Sequence, residues 1–423
     1  SWMHIEIDRH TDPNVLAALE RSLRQALADV RRAVDDWMPM RARIAEAIAE
    51  ASPARVHLAT EEFDEVRAFL EWLADDHFTF IGYARYALEQ DHERGVRLRR
   101  EPASGLGVLR DQGASAYSRS FDALPPEIRA KAAEPVPLLL VTKANSKSTV
   151  HRDAYLDYIG VKRYDSDGRV VGENRFLGLF TSAAYNRSPL SIPLLRRKIQ
   201  RIVSRAGFDR RSHAGKALLN ILETYPRDEL FQASEDELFA IALEILQLQD
   251  RLRIRLFLRS DPWRRFVSCL VYVPRDRYNT TLRERFQAIL GEAFGTSDIE
   301  YQAQLSESLL ARILFIAHTP KGIPPAVDPR ALEAALIEAA RDWGDQLYAA
   351  LLEACGEETG NRLFRTYGKA FAAAYRERVA ARLAVADIIA LDELASGKVR
   401  PLALRLYRVL EEPTDQLHFH LIR

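Results

Sequence analysis

The chain has 423 residues, which is enough for two to four domains at roughly 100–200 residues each. Its 60 basic and 60 acidic residues cancel, which argues against a dedicated nucleic-acid binder, because such proteins are usually clearly basic. Cys269 and Cys355 are its two cysteines, which argues against a disulfide framework or a structural zinc site. No apolar run reaches the about 20 residues that cross a bilayer, and no signal peptide opens the chain. We therefore expect a cytoplasmic protein without membrane or nucleic-acid partners.

Both ends predict strands that lack partners. Apolar and polar residues alternate over residues 3–8 and, at the other end, over 402–407 and 417–421, with a turn expected over 411–416. Single strands and isolated hairpins are marginally stable at best. We interpret the chain as a piece of a longer protein.

The first helices are indicated by a start signal and a heptad pattern. Asp12-Pro13 supplies an N-cap carboxylate and a proline at the first helical position. One apolar stripe on a long helix is predicted from Leu16, Leu19, Leu23, Leu27, Val30, Val34 and Trp37. We expect this stripe to pack against another domain or subunit. A second helix is predicted after Thr60.

A first sheet is predicted from residue 78 to residue 185. Strand-like runs cover residues 78–88, 96–100 and 138–180, and Asp165-Ser166-Asp167-Gly168 predicts the turn of a hairpin. Short helices between strands favour a mixed antiparallel sheet with helices on one side, a sensor-like α+β module.

Hydrogen-bonding side chains concentrate between residues 142 and 153, after an apolar run. Lys143, Asn145, Ser148 and Arg152 could hold a small anionic ligand through charge-assisted hydrogen bonds. Capping of an ordinary turn by the Asn and Ser side chains is the alternative.

An acid–base pair is the second hypothesis for this stretch. Residues two apart on a strand share a face, so His151 could meet Asp153, and Asp157 is a further candidate partner. Because no nucleophile or metal partner is evident, we favour a histidine that holds a loop through a carboxylate.

Helices are predicted to follow Tyr185. Residues 187–211 form the most basic stretch, which could meet nucleic acid or an anionic ligand, although pairing with acidic side chains is the favoured interpretation. Ser234 and Glu237 predict a capping box.

A second sheet is predicted from residue 252. The order strand, strand, helix, strand, strand, helix resembles a permuted ferredoxin-like βαββαβ unit. One helix is expected to carry Leu332, Leu336, Trp343 and Leu347 along a stripe, and Gly360 is expected to interrupt the following helical region.

Motifs for cofactor chemistry are incomplete. Gly105-Leu106-Gly107 begins a dinucleotide fingerprint, but Arg110 stands where its third glycine is needed, and residues 111–113 are typical of a loop. Gly368-Lys369 is followed by Ala370, so a Walker loop also fails, and no metal-binding histidine or cysteine pattern is present. We expect no cofactor or metal in this chain.

Several stretches resemble one family, the large bacterial NAD-specific glutamate dehydrogenases. They are FTFIGY (78–83), TKANSKSTVHR (142–152), GENRFLGLF (172–180), YPRDELF (225–231) and FVSCLVYVPRDRY (266–278). The resemblance runs in family order along nearly the whole chain.

The resemblance implies the N-terminal regulatory region of such an enzyme, with an α+β, multidomain fold of PAS-like and ferredoxin-like (ACT-type) antiparallel sheets joined by long helices. The implied division is 1–10 (end of an ACT-type domain), 11–77 (helical connector), 78–186 (PAS-like), 187–251 (helical linker), 252–351 (ACT-type), 352–400 (helical) and 401–423 (start of another ACT-type domain). ACT domains often bind amino acids at a glycine-containing loop, and here Arg264 stands where a glycine is expected.

The implied function is regulation and oligomerisation without catalysis. The parent enzyme would oxidise glutamate with NAD, and its NAD site and catalytic domain would lie downstream in the same chain. The expected partners are that domain, further copies of the chain and an amino-acid effector. The candidate ligand or interface residues are Lys143, Asn145, Ser148, His151, Arg152 and Arg175. A purely structural assembly scaffold is the alternative.

Overall fold

A computed structural model describes residues 4, 6–51, 56, 58–110, 116–248, 253–305, 308–319, 327–397, 402–407 and 418–422. The chain forms two compact units, residues 1–272 with 291–327, and residues 273–290 with 328–423. The first unit contains two antiparallel sheets with helices packed on them. Helices with antiparallel pairing confirm the α+β class.

Long helices open the described part of the first unit. They are α1 (Pro13–Asp35), α2 (Trp37–Glu50) and α3 (Thr60–Trp72). The Asp12 carboxylate accepts a hydrogen bond from the Asn14 amide at 2.8 Å, as its N-cap position predicts. The prediction of a single long helix through Trp37 is wrong, because α1 ends and α2 begins on either side of Asp36. The buried carboxylate of Asp36 accepts a hydrogen bond from the Gly107 amide at 2.7 Å.

The first sheet follows a short irregular turn of helix, Leu73–His77. Its strands are β1 (Phe78–Asp91), β2 (Gly95–Arg100), β3 (Leu106–Gly107), β4 (Leu139–Lys147), β5 (Tyr155–Tyr164) and β6 (Val170–Phe180). The strand order is β2-β1-β6-β5-β4, with β3 paired to β1. Two short helices, α4 (Arg119–Asp122) and α5 (Pro126–Ala130), lie in the connection to β4. The predicted hairpin turn is confirmed by Gly168, whose φ is +79°.

The polar stretch after residue 141 continues a strand. Thr142 pairs with Tyr158 and Lys143 with Asp157, and the pairing resumes at Lys147 after an irregularity. The abrupt change to polar residues therefore does not end β4. Of its polar side chains, Lys143 binds Asp157 on the neighbouring strand β5, and the Thr142 hydroxyl donates to the Asp261 carboxylate at 3.2 Å.

Helices cover one face of this sheet. They are α6 (Ser182–Asn186), α7 (Leu195–Ala206), α8 (His213–Thr224), α9 (Arg227–Gln232) and α10 (Glu235–Leu248). Their apolar side chains share one buried core with Ile159, Val161 and Phe176 of the sheet. The capping box is confirmed, because the Glu237 amide donates to Ser234 Oγ and the Ser234 amide donates to Glu237 Oε2.

Acidic side chains pair with the basic stretch on α7. Arg196 binds Glu65 of α3 at 2.6 Å, and Arg201 binds Glu235 of α10 at 2.9 Å. The favoured interpretation of this stretch, a face that pairs with carboxylates, therefore agrees with the structure.

The second sheet has the order β7-β8-β10-β9. Its strands are β7 (Arg255–Ser260), β8 (Phe266–Pro274), β9 (Ile299–Gln304) and β10 (Leu310–His318). Every residue of β8 is buried, as expected for a central strand. Helix α11 (Thr280–Phe294) connects β8 to β9 along the chain.

The second unit contains α12 (Pro329–Ala339), α13 (Trp343–Tyr367), α14 (Ala373–Arg378), α15 (Ala381–Ala395) and a hairpin of β11 (Ala403–Tyr407) and β12 (His418–Ile422). The stripe from Leu332 to Leu347 does not lie on one helix, because Asp342 and Asp345 form a capping box that starts α13.

The break predicted at Gly360 is also wrong. Gly356, at φ +76°, forms the kink in α13, whereas Gly360 remains helical and buried. A Cβ at Gly360 would meet the Leu351 carbonyl oxygen at 2.9 Å, so this glycine permits a close helix approach.

Some sequence predictions fall outside the described residues. They are the loop over 111–113, the turn over 411–416, residues 3 and 5 of the first predicted strand, residue 252 and residue 401. The strand predicted over 3–8 is otherwise wrong, because residues 4 and 6–8 are described and adopt no regular secondary structure. Among the described residues, no helix is both long enough and apolar enough to span a membrane.

Candidate functional site

The two faces of the first sheet have different environments. Residues two apart on a strand share a face, so Ile159 and Val161 of β5 point into the helix-covered core. Tyr158, Gly160 and Lys162 point to the opposite face, where residues between 117 and 137 of the connection before β4 border a cavity. We call this space the sheet cavity.

The sheet cavity has a volume of about 830 Å³. That volume lies within the range of roughly 300–1,000 Å³ typical of small-molecule sites. Apolar walls are formed by Leu88, Leu98, Leu109, Phe121, Leu124 and Leu177, and polar lining comes from Arg100, Ser118, Arg119, Lys131, Asn145, Glu173 and Arg175. The loop between β7 and β8 adds Trp263 to the wall.

Arg175 is the central polar residue of the cavity and is 6% exposed. Its Nη2 donates to Glu173 Oε1 at 2.6 Å, and its Nη1 donates to Ser118 Oγ at 3.0 Å. The guanidinium lies 3.9 Å from the ring centroid of Tyr86. The Tyr158 hydroxyl donates to the same Glu173 oxygen at 2.6 Å. These contacts fix the guanidinium plane at the buried end of the cavity.

The electrostatics of this cluster keep Arg175 charged. Burial acts to lower its pKa, but the neighbouring Tyr158 and Glu173 outweigh burial and raise it above the ordinary arginine value. Burial is also the main reason that the pKa of Tyr158 is raised, so its hydroxyl remains a proton donor. The cluster is a neutral ion pair with an attached phenol, and it is suited to binding rather than proton transfer.

Gly160 keeps the floor of the cavity open. It pairs with Arg175 across the sheet. A Cβ at this position would meet Tyr158 Cε1 at 2.8 Å, so a larger residue would displace the Tyr158 ring.

Lys143 lies in a different cluster. Its Nζ is 2.7 Å from Asp157 Oδ1 and 3.1 Å from Asp228 Oδ2, and Tyr185 donates to Asp228 at 2.9 Å. Burial alone would lower the pKa of Lys143, but the two carboxylates raise it well above its usual value. The ammonium is already bound by two internal anions, and it links the first sheet to helix α9.

The remaining candidates are separated. Asn145 is exposed at the rim of the sheet cavity. Ser148 is buried and forms a local turn, in which its hydroxyl donates to the Val150 carbonyl at 2.6 Å and accepts from the Val150 amide. Arg152 donates to the Phe180 carbonyl at 3.2 Å. The structure therefore brings Asn145 and Arg175 to the same cavity, but not the others.

His151 is exposed on a turn with φ +74°. Its side chain forms no hydrogen bond or ion pair with any described residue, and Asp157 is bound to Lys143. The acid–base pair considered from the sequence is not assembled, because the left-handed turn at His151 removes the strand geometry on which it depended.

Sequence reasoning missed most of the cavity wall. Tyr158, Glu173 and Ser118 bind Arg175 directly, but they come from two strands and a distant connection. Alternation along β5 was the available signal, because it places Tyr158 and Gly160 on one face.

The glycine pair that begins the dinucleotide fingerprint does not fit a pyrophosphate. The Gly107 amide donates to the Asp36 carboxylate, and Gly107 pairs with Gly82 of β1. A bound phosphate would have to displace a buried carboxylate. Within the described ranges, no cluster of three or more His, Cys, Asp or Glu side chains is arranged to hold a metal ion.

The loop between β7 and β8 is held by Asp261, which is 1% exposed. Its carboxylate accepts from the Trp263 and Arg265 amides at 3.2 Å each. Arg264 adopts φ +53°, a left-handed conformation that favours glycine. The position therefore has the backbone of the glycine that the resemblance implies, but it presents a long side chain.

Family models match three segments of the chain. Their descriptions are glutamate dehydrogenase helical motif 1 at residues 192–251, ACT2 domain at 255–344 and helical motif 2 at 350–394. A protein of Halomonas elongata, named NAD-specific glutamate dehydrogenase, is 44% identical over 419 residues, covering 97% of this chain and 25% of the relative.

Two further relatives carry the same name. The protein of Pseudomonas aeruginosa is 42% identical over 99% of this chain and 26% of its own length. That of Mycobacterium tuberculosis is 34% identical over 95% of this chain and 24% of its own length. The chain is related to the NAD-specific glutamate dehydrogenases. The resemblance predicted from the sequence is thereby confirmed, and the chain spans about a quarter of the length of these glutamate dehydrogenases.

Proposed function

We propose that this chain is a non-catalytic regulatory and oligomerisation region of a cytoplasmic NAD-dependent glutamate dehydrogenase. The proposal rests on the ACT2 domain model that matches part of this chain. Almost the whole chain also aligns with about a quarter of the length of such an enzyme. The parent enzyme would convert glutamate and NAD to 2-oxoglutarate, ammonia and NADH. Its NAD site and catalytic residues would belong to another part of the same polypeptide.

The ACT-type part of the proposal is supported by the strand order of the second sheet. Strands β8 and β9 are joined through α11, yet β10 lies between them in the order β7-β8-β10-β9. Separation of two helix-linked strands by a third is the feature that defines a split βαβ unit. This order is the one expected for a permuted ferredoxin-like unit whose last strand comes first.

The PAS-like part is supported by the first sheet. Five of its six strands follow the antiparallel order β2-β1-β6-β5-β4, and one face of the sheet borders a cavity beside the short helices α4 and α5. We propose that the sheet cavity holds the effector. Ligand binding there would regulate the catalytic part if it favoured one global state of the enzyme over another.

The proposal is tested with the full-length protein and a variant whose cavity is filled, Ala144→Phe. An amino-acid effector at about 100 times its Kd should raise the free energy of unfolding by about 2.7 kcal/mol and change the rate of NADH formation from glutamate. Both responses should disappear in Ala144→Phe. Identical responses in the two proteins would contradict regulation through this cavity.

The exposed apolar stripe on α1 favours the alternative function, a structural scaffold without an effector. Its stripe is uncovered in the structure: Leu27 is 65% exposed and Val34 is 69% exposed. Leu16, Leu23 and Val30 extend the stripe, which is about 27 Å long at 1.5 Å per residue. Such a face requires a partner, and a second copy of the chain is the one we propose.

A further inference from the structure

The deep polar groups of the sheet cavity satisfy one another. The guanidinium of Arg175 and the carboxylate of Glu173 form an ion pair at 2.6 Å, and Tyr158 donates to the same carboxylate. A ligand does not have to supply a charge at this depth. The leucines and Phe121 that line the walls favour an apolar group, because burying it removes apolar surface from water.

The rim of the cavity has an excess of positive charge. Arg119 and Lys131 are exposed and form no ion pair with any described carboxylate. Arg100 donates to the carbonyls of Leu109 and Arg110, so its positive charge is also not neutralised by a described acidic side chain. The chain as a whole is neutral, so this local excess is a property of the cavity rim.

The acidic residues of the lining do not cancel this excess. Glu173 is paired with Arg175, and the single charge of Glu134 is offset by Lys162, a further lining cation whose ammonium donates to the Glu134 carbonyl at 2.6 Å. Arg265, another lining cation, is paired with Asp261 at 2.9 Å. Three cations, Arg100, Arg119 and Lys131, remain available to an external anion.

We infer that the sheet cavity binds an amphipathic anion, with an apolar body against Leu98, Phe121 and Leu124 and a carboxylate at Arg119 and Lys131. The inference rests on the proposed function of this cavity as an effector site, and it replaces the amino-acid effector with an amphipathic anion. A free small zwitterion such as L-glutamate fits less well, because the apolar walls would face a fully polar ligand. A cavity of about 830 Å³ accommodates an apolar body of many carbon atoms.

The test is isothermal titration calorimetry of the full-length protein with octanoate, octan-1-ol and L-glutamate. Octanoate and octan-1-ol share an alkyl chain and differ in charge. We expect octanoate to bind about tenfold more tightly than octan-1-ol, as two charge-assisted contacts at an exposed rim allow. L-Glutamate should bind at this cavity more weakly than octanoate.

Three variants locate the site. Arg119→Glu/Lys131→Glu should weaken octanoate about tenfold and change the Kd of octan-1-ol by less than about twofold. Retained octan-1-ol binding also shows that this variant folds. The matched reversal Arg210→Glu/Lys216→Glu, at exposed residues away from the cavity, should change neither ligand. Ala144→Phe should weaken both.

Three results would overturn the inference. They are equal affinities for octanoate and octan-1-ol, no octanoate binding at all, and equal losses in the two charge-reversed variants. A different result would contradict the proposed function. If octanoate binds in the expected pattern but does not affect NADH formation, the inferred ligand class stands and the proposed regulation is wrong. Conversely, if an amino acid regulates the enzyme through the cavity and octanoate does not bind, the inferred ligand class is wrong and the proposed regulatory function stands.

Discussion

Arg259 of β7 and Glu229 of α9 form a buried ion pair with two parallel hydrogen bonds, at 2.8 and 2.6 Å. Both side chains are less than 5% exposed. The same short helix binds the first sheet through Asp228 and Lys143. Helix α9 therefore ties the two sheets of the first unit together through two adjacent acidic residues.

Removing one partner of this pair should be strongly destabilising. Arg259→Met leaves the Glu229 carboxylate buried without its counter-charge, and it should lower the free energy of unfolding by about 3–5 kcal/mol. The double variant Arg259→Met/Glu229→Leu should regain most of the loss, because no unpaired charge remains. Urea denaturation measures both.

A matched exposed pair provides the control. Arg255 and Glu244 lie 2.6 Å apart with about a third to a half of each side chain exposed. Arg255→Met should cost less than about 1 kcal/mol. A loss as large as that of Arg259→Met would show that burial does not determine the effect.

Lys198 should make the free energy of unfolding increase with pH. Its Nζ donates to the carbonyls of Leu230 and Ala233 at 2.8 Å each, and burial lowers the pKa of the amine to about 8. An unfolded lysine titrates near 10.5. Between these values the unfolded chain holds a proton that the folded chain has lost, so stability rises with pH.

The size of this effect follows from the difference in pKa. Between about pH 7 and about pH 9.5, the free energy of unfolding of the wild type should rise by about 2 kcal/mol relative to that of Lys198→Met. One pKa unit corresponds to about 1.36 kcal/mol. Urea denaturation at several pH values measures the gain, and Lys216→Met, at an exposed lysine, is the control. Parallel pH curves for wild type and Lys198→Met would contradict the lowered pKa.

The exposed stripe of α1 should mediate self-association. Leu27→Glu/Val34→Glu places two charges on it and should shift the full-length protein to a smaller species in sedimentation velocity. Asn14→Glu/Arg21→Glu alters exposed residues beside the stripe and should leave the species unchanged. Identical sedimentation of wild type and both variants would mean that the stripe does not mediate assembly.

His151 should be dispensable for turnover. His151→Asn removes the imidazole while keeping a residue that tolerates positive φ. Because a general acid or base contributes roughly 10²–10⁴-fold, kcat of the full-length protein should stay within about twofold of wild type if His151 has no such role. A hundredfold loss would restore the acid–base hypothesis.

The elements with regular periodicity could be predicted from the sequence, and the long-range contacts could not. The turn signal over 165–168 identified the hairpin of β5 and β6, and the caps at Asp12 and Ser234 were identified from local chemistry. The ACT-type match at 255–344 agrees with the second predicted sheet. Local patterns suffice where each residue's partner is a neighbour in the chain.

The candidate site was predicted only in part, because its contacts join distant segments. Lys143 was one candidate for binding a small anion, but Asp228, 85 residues away, already binds it. Arg175 was identified without its partner Ser118, which comes from a separate connection. The helix kink was assigned to Gly360 instead of Gly356, since a glycine can bend a helix or permit close packing.

The most direct test of the account is NADH formation from glutamate and NAD by two proteins, the full-length polypeptide and the 423-residue chain. Cooperative urea denaturation first shows that the chain is folded. The account predicts NADH formation by the full-length protein and none by the folded chain. Glutamate oxidation by the folded chain, or a full-length protein that forms no NADH, would contradict it.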